Sequence, residues 1–260
     1  MTDHAQFLFN MILGVVNGKY SDVPPTIEEL TADADNIREA SKSLYPISKD
    51  EYVQVVKKLR ENVLVTIGTS HSLRGIDVNH QSWYQTVEKD DFYWNRYKQY
   101  LETLKHWSKE VIRQLNDTTD SIMDDLGDPT KKKMTFSRRG LLLGDVQSGK
   151  TATYTAICNK AADCGYRVII VLTGMLENLR FQTQERLDAE FAGRESRYAL
   201  DRSADLIIRE KAVGVGRIGP TNPDKRISCF TTVSTDFSRN ILRSNDLTLR
   251  NISGTALFVV

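Results

Sequence analysis

Gly144-Asp145-Val146-Gln147-Ser148-Gly149-Lys150-Thr151 fits G-x-x-x-x-G-K-[ST] at every fixed position. Each fixed position has a chemical reason. The glycines permit a tight loop and let the backbone approach phosphate oxygens closely. Successive N–H groups of Asp145, Val146, Gln147 and Ser148 then form an anion nest, to which the following helix adds its positive end. Lys150 is placed to meet the β- and γ-phosphates, and the Thr151 hydroxyl to ligate Mg²⁺. Ala152 completes the first helical turn. The expectation is a nucleoside-triphosphate site, ATP with Mg²⁺, at 144–152.

The flanking sequence gives the loop its context. Residues 140–143 form an apolar run, the pattern of a buried parallel strand. A helix is expected from 150 to about 163, stopped by Gly165. A second apolar, β-branched run covers 167–172. Another helix is expected from about 177 to 191, closed by Gly193. This βαβα order predicts an α/β fold, a RecA-like P-loop parallel sheet with helices on both faces. A later strand is expected at 227–233, and 214–220 reads as a loop. The run 256–260 is a further apolar strand with no turn signal after it, the pattern of one domain of a longer protein.

The preceding region has a different pattern. Thr26 with Glu29, and Ser48 with Glu51, are capping-box pairs. Tyr52, Val55, Val56 and Leu59 fall on one helical face. A short strand is expected at 63–67, one long helix from 91 to 115, and a short helix from 117 to 126. The aromatics between Trp83 and Trp107 have two readings, helix-spaced core packing and a base-stacking platform. Gly127-Asp128-Pro129 and the lysines at 131–133 mark the expected boundary. It separates a mainly helical accessory region (1–130) from a P-loop ATPase core (131–260).

Charge divides the same way. Residues 1–130 carry 14 basic and 21 acidic side chains, and residues 131–260 carry 21 and 13, within a chain of net charge +1. Any polyanionic partner is expected on the second half. The three cysteines have neither metal nor redox spacing. The apolar stretch 7–16 is too short to span a bilayer and lacks signal-peptide flanks, so a cytoplasmic protein with no membrane partner is expected.

Beyond the loop, the second apolar run leads into Thr173-Gly174 and then Leu179-Arg180-Phe181-Gln182-Thr183-Gln184-Glu185-Arg186-Leu187. This segment resembles motif Ia of superfamily 2 helicases, and 144–151 is similar to their motif I. The longer run RRGLLLGDVQSGKTATYTAICNKAADCGYRVIIVLTGMLENLRFQTQERLDAEFAGR (138–194) resembles the bacterial Z-one domain family of proposed endonucleases. GVGRIGP (214–220), FTTVSTDF (230–237) and FYWNRYKQYL (92–101) look like further pieces of it. The resemblance implies a helicase-like ATPase of restriction-modification or phage-defence systems, working on DNA beside a methyltransferase or other subunits. It also implies that Thr173, Gly174, Arg180, Gln184 and Arg186 touch the nucleic-acid backbone.

The acidic pair that P-loop motors use to hold Mg²⁺ and position water is missing. Leu206-Ile207-Ile208-Arg209-Glu210 has arginine at the first carboxylate position, and 258–260 reaches no carboxylate. The expectation is an ATP-binding part of a larger motor. The rivals are an endonuclease subunit licensed by ATP, a non-enzymatic ATP switch that assembles a complex, and a small-molecule kinase.

Overall fold

The computed structural model describes residues 2–20, 25–63, 81–131, 137–144, 149–174, 176–198, 203, 205–218, 222–237 and 254–260. The chain forms two compact units. One comprises Met1–His71, Leu101–Thr118 and Gly140–Ala152; the other comprises Ser72–Tyr100, Thr119–Arg139 and Thr153–Val260.

In the first unit, three helices share an apolar core: α1 (Asp3–Lys19), α2 (Ile27–Ser41) and α3 (Lys49–Val63). Ala5, Leu8, Ile12, Leu13 and Val16 of α1 bury one stripe against Leu30, Ala34, Val55 and Leu59, the spacing of an amphipathic helix. Both capping boxes form. The Glu29 N–H donates to Thr26 Oγ1 at 3.2 Å and the Thr26 N–H to Glu29 Oε2 at 2.8 Å. Ser48 and Glu51 repeat this at 3.2 and 3.0 Å. Val63 closes α3, and the rest of the expected 63–67 strand lies outside the described residues.

The single helix expected over 91–115 is two helices, α4 (Phe92–Thr103) and α5 (Lys109–Asp125). His106 takes a positive φ of 57°, which a helix cannot contain. Ser108 then caps the new start, its Oγ accepting the Val111 N–H at 3.3 Å. The helix expected at 117–126 is the end of α5. The aromatic cluster is core: Trp83, Tyr84, Tyr93, Trp94, Tyr97 and Tyr100 are all buried. Base stacking needs exposed ring faces, which these rings do not offer.

The second unit is mixed α/β around a parallel sheet. Its described strands are β1 (Val168–Val171), β2 (Ser228–Cys229) and β3 (Ala256–Val259), in the order β1-β3-β2. Val168 pairs with Ala256 and Val171 with Val259; Ser228 also pairs with Ala256. The central strand β3 is wholly buried. One sheet face, with Ile169, Val171, Leu257 and Val259, packs on Tyr93, Cys158, Ala162, Leu187 and Phe191. Those side chains come from α4, α6 (Lys150–Asp163) and the end of α7 (Glu177–Leu187) with its continuation.

The other face differs from the expected helix-covered layer. Among the described residues it carries the stacked Phe230 and Phe258 rings, 4.8 Å apart, while Val168 and Ile170 are exposed. The strand expected at 140–143 is also absent. That stretch is irregular, and Leu141 and Leu143 are 83% and 81% exposed. A parallel strand requires a paired neighbour and covered faces, and the described residues of the first unit supply neither. The 227–233 expectation shrinks to the two residues of β2. Leu206-Ile207-Ile208-Arg209 is a four-residue helix with exposed apolar side chains at 206–208, not a strand.

The helix expected over 177–191 changes character partway. After Leu187 it widens into a π-helical turn, Asp188–Ala192. Gly193, at φ +77°, closes the turn, and its N–H donates to the Asp188 carbonyl at 2.8 Å.

Candidate functional site

Gly144, Gly149, Lys150, Thr151 and Ala152 of the phosphate-loop motif are described; Asp145, Val146, Gln147 and Ser148 lie outside the described residues. Gly149 has φ +76°, a left-handed conformation that glycine adopts without strain. α6 begins at Lys150 and has no acidic residue in its first turn, so no carboxylate of that turn opposes an anion at the positive helix end. Lys150 is exposed, and its Nζ donates to the Gly144 carbonyl at 2.5 Å, drawing together the two ends of the loop. Thr151 is half-buried and Ala152 buried on the same turn. A left-handed glycine, a first helical turn without carboxylates and a lysine that reaches Gly144 fit a triphosphate. The Thr151 hydroxyl fits a single protein ligand to Mg²⁺.

Farther along α6, in the second unit, two buried charged residues anchor the helix. Lys160 is fully buried; its Nζ lies 2.5 Å from Asp120 Oδ1 and 4.4 Å from the Trp94 ring centroid. Burial lowers its pKa, opposed by Asp120. Asp163, the last residue of α6, accepts the Tyr93 and Trp94 N–H groups at 2.9 Å each, and so caps the N-terminus of α4. Burial pushes the Asp163 carboxyl up to about 7, against the pull of those two donors and of Lys225, with Asp91 adding to the rise.

This shift predicts a pH dependence. Between about pH 4 and pH 7 the folded state holds a proton that the unfolded chain has released. The Asp163 contribution is therefore full below about pH 4 and declines as pH rises through about 7. The melting temperature of Asp163→Asn minus that of wild type is expected to rise from about pH 4 to about pH 7 and to level off above it. Parallel melting profiles would show that Asp163 is already ionised in the fold.

The second segment lies at the carboxyl end of the sheet. The Thr173 N–H and Oγ1 both donate to the Val260 carbonyl, at 2.7 and 3.0 Å. Gly174 is exposed, and a Cβ there would come within 3.1 Å of Leu179 Cδ1. Arg186 is exposed on α7. Arg180 and Gln184 are not: they are 4% and 0% exposed. Arg180 Nη1 and Nη2 donate to the Thr232 and Val233 carbonyls at 3.0 and 3.3 Å, and Nε and Nη2 meet Glu177. Gln184 Nε2 donates to Asp188 Oδ1 at 2.8 Å, and its Oε1 accepts the Thr231 hydroxyl at 2.8 Å. Both side chains are thus engaged in holding the 173–186 segment against 231–233.

Sequence spacing gave no sign of Thr231 or Ser196, whose partners Gln184 and Val233 lie 47 and 37 residues away along the chain, nor of Asp188 between them. Lys160 left a faint signal, the one cation of α6 beyond its first residue. The cysteines Cys158, Cys164 and Cys229 are free and buried, and burial pushes each thiol up to about 12, which keeps them unreactive. Among the described residues no acidic, histidine or cysteine cluster suits a metal ion, and no helix is long and apolar enough to cross a membrane.

Comparison with protein-family models, with curated proteins and with solved structures gives no match to this chain.

Proposed function

We propose that this chain is the ATP-binding part of a DNA-dependent, helicase-like ATPase of bacterial restriction or anti-phage defence, built on a RecA-like P-loop core. The observation that carries the reading is the complete phosphate-loop octapeptide, whose lysine opens a 14-residue helix and reaches back to the loop's first glycine. The backbone of 144–149 and Lys150 hold the triphosphate, and Thr151 with Ala152 forms the first turn beneath it. Bound Mg²⁺ neutralises phosphate charge, with Thr151 as its ligand from this chain.

The DNA assignment rests on the likeness of 173–187 to a helicase motif and on the basic second half. Of that segment, Thr173, Gly174 and Arg186 carry the proposed backbone contact, and the exposure of Gly174 and Arg186 supports it. Arg180 and Gln184 serve by fixing its shape. A cytoplasmic location beside a methyltransferase or other defence subunits follows from the same likeness.

The test is ATP binding by the chain, and ATP hydrolysis by the full-length motor proposed to contain it, with and without single- and double-stranded DNA, using Lys150→Ala as the control. Loss of a charge-assisted hydrogen bond costs about 1.5–3 kcal/mol, so the variant should bind ATP about 10- to 100-fold more weakly. DNA-stimulated turnover that vanishes in the variant supports the motor. Binding that DNA does not affect would replace it with an ATP switch, and DNA nicking without translocation with an ATP-licensed nuclease. Equal ATP binding by wild type and variant would remove the nucleotide assignment itself.

A further inference from the structure

Among the described residues, five buried side-chain atoms have no hydrogen-bond partner in the protein: Arg96 Nε, Tyr97 OH, Thr155 Oγ1, Asn159 Oδ1 and Arg194 Nε. All five belong to the second unit, and they gather around the π turn Asp188–Ala192. Such a turn moves backbone carbonyls out of α-helical register. Two of the five side chains latch the carbonyls that it displaces. Asn159 Nδ2 donates to the Glu190 carbonyl at 3.2 Å, and Arg96 Nη2 to the Phe191 carbonyl at 2.7 Å. Asn159 Nδ2 also donates to the Thr155 carbonyl at 2.9 Å, one turn earlier on the same face of α6. α4 follows the same seam, with Asp163 at its start and Lys160 Nζ 4.4 Å from the Trp94 ring centroid. Tyr97 lies one turn farther along α4. Burial raises its phenol pKa, and the nearby Glu190 carboxylate adds to the rise. Arg194 follows Gly193, which closes the turn.

Buried polar atoms without a partner are rare and costly, so five around one turn call for a ligand. Their chemistry selects it. Tyr97 and Thr155 carry hydroxyls that both donate and accept, the Asn159 oxygen only accepts, and the two arginine Nε groups only donate. A cation here would meet Arg96 and Arg194. An anion would meet the Asn159 oxygen and the Glu190 carboxylate. A small neutral molecule that donates and accepts at once satisfies the whole set, and a buried water typically makes about three such bonds. We propose that the junction of α4, α6 and the π turn is a buried hydration site. Ordered water there pairs with Tyr97 OH, Thr155 Oγ1 and Asn159 Oδ1 and holds the turn in its widened register.

The test turns on a sign. Deleting a hydroxyl that is paired with water weakens the fold, whereas deleting an unpaired buried hydroxyl strengthens it. Tyr97→Phe and Thr155→Val keep the shape of each side chain and remove only the polar group. Each should raise the unfolding equilibrium constant about 2- to 10-fold in chemical denaturation. Magnetic relaxation dispersion of the water oxygen, which detects long-lived internal water, should show such water in the wild-type chain and less of it in Tyr97→Phe. A folded variant with a lower unfolding constant than wild type, or an undiminished internal-water signal in Tyr97→Phe, overturns the proposal. The wild-type measurement decides the case where neither variant folds: a chain with no long-lived internal water overturns the proposal, and a chain that holds such water supports it.

Discussion

Asp120→Ala is expected to destabilise the protein by about 3–5 kcal/mol, the cost of leaving a buried charge without its partner. Lys160 is fully buried, and Asp120 Oδ1 lies 2.5 Å from its Nζ. The Trp94 ring at 4.4 Å and the Tyr84 ring at 5.8 Å favour a cation but do not replace a carboxylate. The reverse change should cost far less. Lys160→Met fills nearly the same volume with apolar atoms, and Asp120, with 23% of its side chain exposed, keeps part of its hydration. Its expected cost is below about 1.5 kcal/mol. Chemical denaturation of the two variants measures the asymmetry directly. Equal losses, or a larger loss for Lys160→Met, would mean that the lysine is held by packing and not by charge.

The pair matters to function because of where it sits. Lys150 and Lys160 are ten residues apart on α6, about 15 Å along its axis. One cation opens the helix at the phosphate loop; the other anchors its far half. Asp163 then fastens the last residue of α6 to the start of α4. These contacts fix the second-unit part of α6, from Thr153 onward, against α4 and α5.

Local chemistry was legible in the sequence wherever it was repeated or capped. The two capping boxes, the α3 apolar face and the start of α6 at Lys150 all follow from neighbours within four residues. The break between α4 and α5 was not, because it turns on one histidine in a left-handed conformation. No apolar periodicity marks that residue. The 140–143 run misled for the opposite reason. Four apolar residues satisfy a strand pattern, but pairing needs a neighbour that the pattern cannot supply. At the candidate site, the loop residues were legible because the motif is contiguous. Arg180 and Gln184 were visible as residues but not as structural members. Their partners, Thr231 to Val233, lie about fifty residues away and carry no charge to advertise the link.

The glycines of 214–216 yield the steepest prediction. They looked like loop formers; the structure gives them a different reason. Gly214–Arg217 is a 3-10 turn laid against the end of the π turn. A Cβ at Gly216 would lie 1.7 Å from the Gly193 carbonyl oxygen, and one at Gly214 would lie 1.9 Å from the Ala189 oxygen. The opposing atoms are backbone, so no rotamer change relieves the overlap. Gly216→Ala must push the two turns apart, breaking the Val213 N–H bond to the Gly193 carbonyl and straining the Arg194 to Ala212 bridge. A loss of about 4 kcal/mol or more is expected, the range kept for severe core disruption. Gly165→Ala, with φ +87° but open space around it, should cost only the left-handed strain of about 1–2 kcal/mol. Gly140→Ala meets nothing within 4 Å and has no positive φ, so it should be nearly neutral. Melting temperatures of the three variants should fall in that order. If Gly216→Ala melts within a few degrees of wild type, the close approach of the two turns is wrong, and with it the buried frame that holds Asp188 and Thr231 in register.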